Sequence, residues 1–163
     1  MFKKKAIILT IFCLFSFAAK AQEPVLKLNL PYLKIVQLDG KIFDLEAQKD
    51  KVTLVLFWAN WCSICKRDMP ALEEIYQKYK ARGFEIIAIS TDPKRQREKV
   101  VTIANKFSYP AAIASDIIKA SFSPPNRVPT YYLIGKDGRF LGEVFMNENF
   151  NKRVFEETLE RNL

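Results

Sequence analysis

The residues Val52-Thr-Leu-Val-Leu-Phe-Trp58 form an unbroken apolar run, and two cysteines, Cys62 and Cys65, follow it within seven residues. A run without polar alternation is the pattern of a strand covered on both faces, at the centre of a sheet. Beyond the cysteines Leu72, Ile75, Tyr76 and Tyr79 recur at helical spacing, and Arg82-Gly83 supplies a stop. The pattern predicts a helix from Cys62 or Ser63 to about Ala81. Only Ala59 to Trp61 separates strand from helix, so both thiols fall in the helix's first turn.

The flanking sequence extends this into one α/β domain. Upstream, residues 25–45 read as extended, with Asp39-Gly40 as a hairpin turn between Leu33–Leu38 and Lys41–Leu45. Downstream, Phe84-Glu-Ile-Ile-Ala-Ile-Ser90 is a second buried strand, and Asp92-Pro93 reads as a helix start. Residues 94–107 place Val100, Val101, Ile103, Ala104 and Phe107 on one side and Lys94, Arg95, Arg97 and Lys99 on a solvated one. A short strand at Ala111–Ala114, a short helix around Asp116–Ser121 and a loop at Ser123–Asn126 are expected next. Then come a hairpin of Thr130–Ile134 with Arg139–Phe145, and a closing helix over 149–161 with Phe150, Val154, Phe155 and Leu159 inward. The order predicts a mixed sheet with helices on both faces.

The chain's beginning is of a different kind. Met1-Phe-Lys-Lys-Lys5 precedes an apolar run of 14 residues, Ala6 to Ala19, and Ala19-Lys20-Ala21 has small residues at both ends. These are the three parts of a secretory signal peptide, with the cut expected after Ala21. An uncleaved membrane anchor is the weaker alternative, because the run is shorter than the roughly 20 residues a membrane span needs. Cys13 lies inside it as an ordinary residue. Domain boundaries are therefore expected as a signal peptide over 1–21 and one folded domain over 22–163. Removing 1–21 takes away four lysines and no acid, and the formal charge falls from +8 to +4. No basic-aromatic cluster remains to suggest a nucleic-acid partner.

The chain has no histidine. That excludes Ser-His-Asp and Cys-His nucleophiles, and metal sites built on His. Two cysteines three apart at a strand-to-helix junction are instead a CxxC redox motif. At i and i+3 of a helical turn the sulfurs reach disulfide distance. The first sits at the helix N-terminus, where free N–H groups and the dipole favour thiolate. Cys62 is thus the exposed nucleophile and Cys65 the more buried resolving thiol. A purely stapling disulfide closes too small a loop to stabilise much. A metal site is equally poor, because two thiolates supply half of a four-ligand set.

Trp61-Cys-Ser-Ile-Cys-Lys66 after a strand, with Pro70 and a later Val128-Pro129-Thr130, resembles the thioredoxin superfamily. The signal peptide, the N-terminal β-hairpin and the strand–helix insertion around 94–121 are similar to the exported TlpA/ResA-like thiol–disulfide oxidoreductases. Those are related to cytochrome c biogenesis reductants. The resemblance implies a thioredoxin-like fold, a redox-active disulfide at Cys62 and Cys65, and no cofactor or metal. It implies a cis peptide before Pro129 and a substrate-binding surface from Trp61, Val128 and Pro129. Many thioredoxins carry a buried acid on the strand before the cysteines. Here that residue is Leu56, while Asp68, three after Cys65, corresponds to the acid of the ResA-like group. Asp68 is the candidate proton acceptor for Cys65.

The expected activity is reduction of disulfides in periplasmic proteins. Protein thiols and disulfides are the expected substrates, and a membrane protein the expected electron donor. A disulfide oxidase or isomerase, and a non-catalytic thioredoxin-like binding module, stay open as alternatives.

Overall fold

The structure is a computed structural model that describes residues 31–144 and 151–163. The proposed leader, Phe145 and Phe150 lie outside the described residues. Seven strands form one mixed sheet. They are β1 (Leu33–Gln37), β2 (Ile42–Asp44), β3 (Val52–Trp58), β4 (Phe84–Ser90), β5 (Ala111–Ala120), β6 (Thr130–Ile134) and β7 (Phe140–Glu143). The order across the sheet is β2-β1-β5-β4-β3-β6-β7. The helices are α1 (Ser63–Tyr79), α2 (Arg97–Ala104) and α3 (Lys152–Asn162).

The all-apolar run is the centre. Every residue of β3 is buried, with β4 parallel on one side and β6 antiparallel on the other. Its side chains alternate between two apolar clusters. Leu54, Leu56 and Trp58 share one with both cysteines, while Val55 and Phe57 enter the other with Leu33, Ile35, Phe43, Leu45, Ile87 and Ile89. The hairpin turns at Gly40, whose φ of 86° suits a residue without Cβ. Gly83, at φ 93°, ends the helical stretch after α1 in the left-handed conformation.

Two expectations change. Residues 116–121 are not a helix: β5 runs on to Ala120 and pairs antiparallel with β1 through Ile35–Ile117, Lys34–Lys119 and Leu33–Ala120. Ile117 and Ile118 are β-branched, and β1 offers them an open edge. Helices also do not divide between the faces. Among the described residues, the buried apolar side chains of α1, α2 and α3 all enter the first cluster. Crossovers from β3 to β4 and from β4 to β5 step the same way across the sheet, and crossovers of one hand then deposit both helices on one face. The other face is covered by Leu45 after the hairpin and by Phe122 and Tyr132.

At the closing helix Phe155 and Leu159 are buried, but Val154, expected inward, is 49% exposed. Phe155 and Leu159 lie four apart on one stripe, and Val154 falls beside it. The basic side preceding and entering α2 is only partly solvated, because Lys94 and Arg97 both pair with Asp116.

Candidate active site

β3 ends at Trp58, and α1 begins at Ser63. Cys62 is the residue that caps α1, and its Sγ accepts the Cys65 N–H at 3.1 Å. The two cysteines are joined by a disulfide, with Cα atoms 5.3 Å apart. Exposure falls from 6% at Cys62 to 1% at Cys65. The expected order of the two thiols is present, but Cys62 shows only an edge to solvent rather than an open face. Beside it Trp61 is 70% exposed. The Trp61 side chain therefore lies largely in solvent next to the cysteine pair in sequence. Ile64, also exposed, adds to this apolar surface.

The Val128–Pro129 peptide is cis. Val128 is half-buried and packs against the cluster that contains both sulfurs. The following Thr130 donates its hydroxyl to the Arg127 carbonyl at 2.9 Å, which ties the loop to the start of β6.

Asp68 is buried one turn beyond Cys65. Tyr131 donates its hydroxyl to Asp68 Oδ2 at 3.2 Å, and Arg67 Nε pairs with Oδ1 at 3.0 Å. Burial, followed by the adjacent Asp68 charge, pushes the Tyr131 phenol far above its ordinary range, so it stays a donor. Tyr131 is the register partner of Leu56 across β3 and β6. The position that lacks an acid on the strand therefore faces the tyrosine that anchors an acid from the helix.

Sequence reasoning missed Tyr131, which reads as one more apolar strand residue. It also missed a second polar group. Asp92, Ser90, Asn60 and Gln96 are joined by hydrogen bonds at the ends of β3 and β4. The visible signal was the polar run Ser90-Thr-Asp92 that closes the second apolar strand.

Among solved structures, a thiol:disulfide interchange protein of the thioredoxin family from Chlorobium tepidum superposes with a TM-score of 0.65 at 21% identity. The match covers 81% of this chain and 93% of that one. The fold is accordingly thioredoxin-like, and it carries a cysteine pair at the start of the helix after the central strand. The sequence pattern of the AhpC/TSA family matches residues 21–139, and the chain belongs to that family. It is 32% identical over 130 residues to a thiol-disulfide oxidoreductase ResA of Bacillus cereus, covering 78% of this chain and 74% of the relative. A ResA of Bacillus anthracis is 33% identical over 130 residues, covering 78% and 73%. The chain is an enzyme of the thiol–disulfide oxidoreductase class. Among the described residues no helix is long and apolar enough to cross a membrane.

Proposed function

We propose that the enzyme reduces disulfides in extracytoplasmic proteins, with Cys62 as nucleophile and Cys65 as resolving thiol. The observation that carries the reading is the Cys62–Cys65 pair in the first turn of α1, with the deeper sulfur one turn from a buried carboxylate. In the reduced enzyme the Cys62 thiolate attacks one sulfur of a substrate disulfide. A mixed disulfide forms and one substrate thiolate leaves. Cys65 then gives its proton to Asp68 and attacks the Cys62 sulfur, which releases the second substrate thiolate. Two electrons have passed to the substrate, and the enzyme holds its own disulfide.

A dithiol donor in the membrane restores the pair. Trp61, Val128 and Pro129 form the surface on which an extended substrate segment lies. Asp68 suits its role because Tyr131 and Arg67 fix both of its oxygens, leaving the carboxylate oriented on the helix that carries Cys65. Residues 1–21 export the chain and are removed, and the family match beginning at residue 21 supports that division. Cytochrome c maturation is the setting we propose, since its haem-binding cysteines must be reduced outside the cytoplasm.

The test is Cys65→Ser in cells making the full chain. It should accumulate mixed disulfides through Cys62 with exported proteins. If nothing is trapped and Cys62 titrates as a free thiol, the binding-module reading replaces this one. A reduction potential near that of strong oxidants, with the pair fully oxidised in the cell, would replace the reductase with an oxidase.

A further inference from the structure

Asp68 and Asp92 are the carboxylates buried among the described residues. Asp68 sits on the cysteine helix. Asp92 follows β4, is 3% exposed, and plays no part in the steps above. Beside Pro93 it reads as a helix cap, but the short 3-10 turn Lys94–Gln96 is capped by Pro93 without any side-chain bond. The Asp92 carboxylate turns the other way, toward the segment that carries Cys62. Its Oδ2 accepts the Asn60 backbone N–H at 2.7 Å and the Ser90 hydroxyl at 2.7 Å. Its Oδ1 accepts the Asn60 side-chain amide, which also donates to Gln96. One residue earlier in the chain the Thr91 N–H bonds the Trp58 carbonyl at 2.8 Å, and Cys62 N–H closes the turn onto Ala59 at 3.0 Å. The β3–α1 connection is thus fastened to the end of β4 at Trp58 and Asn60.

The chemistry of the clasp is one-sided. Amide and hydroxyl groups, all neutral, reach the carboxylate, and an ionised carboxylate accepts from all of them. The cations on neighbouring elements are engaged elsewhere or lie outside: Lys94 and Arg97 pair with Asp116, and Arg67 with Asp68. Lys66, Arg95 and Lys99 are exposed. The carboxylate holds Asn60, two positions before Cys62, so the charge is fixed to the backbone that leads into the nucleophile, with the Asn60 and Cys62 Cα atoms at most ~7 Å apart. A negative charge held there disfavours the Cys62 thiolate. The reduced enzyme carries that thiolate and the disulfide does not. Such a charge therefore makes the pair a stronger electron donor.

We propose that Asp92 is a positioning residue for the nucleophile: it locks the Asn60–Trp61–Cys62 segment and, as a fixed anion beside it, tunes the cysteine pair toward reduction of substrate. This rests on the reductase reading given above.

The experiment compares the full chain with Asp92→Asn, which keeps the shape, and Asp92→Ala, which removes the clasp. Three measurements are made on each. They are the equilibrium with reduced and oxidised glutathione, the pH profile of Cys62 alkylation by iodoacetamide, and thermal unfolding of the oxidised form. Asp92→Asn should shift the glutathione equilibrium several-fold toward reduced enzyme and move half-maximal alkylation to lower pH. Asp92→Ala should do the same and also slow attack on a disulfide-linked model peptide several-fold. Wild-type equilibria and alkylation profiles in both variants, whatever their melting temperatures, overturn the proposal. If neither variant folds, Asn60→Ala opens the clasp from its half-exposed side. It should lower kcat/KM for the peptide several-fold, and a wild-type value overturns the positioning. The variant-to-wild-type ratio judges Asp92 alone, whereas the wild-type potential judges the reductase reading.

Discussion

Asp68 and Asp92 are equally deep, yet they are held in opposite ways. Asp68 meets a guanidinium on one oxygen and a phenol on the other. Asp92 meets amides and a hydroxyl. Asp68 comes from the helix after the resolving cysteine, and Asp92 from the strand end beside the nucleophile. A buried carboxylate with a cation on it has its charge compensated locally. One held by neutral donors keeps its full field and works by staying fixed. The difference teaches that burial alone does not assign a role. The partner set does, and it is the ground on which one is proposed as a proton acceptor and the other as an electrostatic clamp.

The largest expected effect removes the cysteines on which both acids are proposed to act. Cys62→Ser should abolish disulfide reduction. Cys65→Ser should allow the first attack and stop there, which mass spectrometry of the trapped adduct reads directly. Next comes Asp68→Asn. It should leave the first attack near wild type and slow release of the mixed disulfide by about 100-fold at neutral pH, a typical contribution of a positioned base. The deficit should narrow as pH rises, because Cys65 then loses its proton to solvent. Stopped-flow traces of the two steps check this. Equal slowing of both steps would erase the division of labour between the carboxylates.

Much of this architecture is legible in the residues. The β3 run, the α1 periodicity, the stop at Gly83 and the hairpin at Asp39-Gly40 each rest on local physics, and each stands in the structure. What failed depends on neighbours. Asp116–Ala120 has the length of a helical turn or of a strand end, and only the open edge of β1 decides between them. The side on which α2 packs follows from strand order, which no local window contains. The site divides in the same way. Cys62 and Cys65 are three apart and declare themselves. Asp92 acts on Asn60, 32 residues away, and Tyr131 on Asp68 across 63. Asp-Pro is a strong local signal for a cap, and it concealed the longer-range bond.

Tyr131→Phe tests the asymmetry more gently. The hydroxyl donates to a buried carboxylate, so its loss should cost about 1–3 kcal/mol of stability. Denaturant unfolding measures this. It should also slow resolution without changing the glutathione equilibrium as Asp92→Asn does. A Tyr131→Phe chain as stable as wild type, with normal resolution, would show that Asp68 needs Arg67 alone.

The smallest effect supplies the reference that both buried acids lack. Glu160 on α3 is exposed, and Arg82 binds it at 2.9 and 2.7 Å. That guanidinium is the main cause holding its carboxyl at about 2, below the ordinary value of 4.5. A depressed folded value means that the ion pair adds stability above pH 4.5 and that the contribution disappears as pH falls toward 2. Arg82→Ala should therefore melt like wild type near pH 2 and slightly below it at pH 6. The gap should shrink further in high salt, since solvent and ions screen an exposed pair. Asp92→Asn should show no such salt dependence in its shift of the glutathione equilibrium, because its carboxylate is buried. If added salt cancels both effects alike, the field at Asp92 is screened like a surface charge, and burial is not what gives it leverage on Cys62.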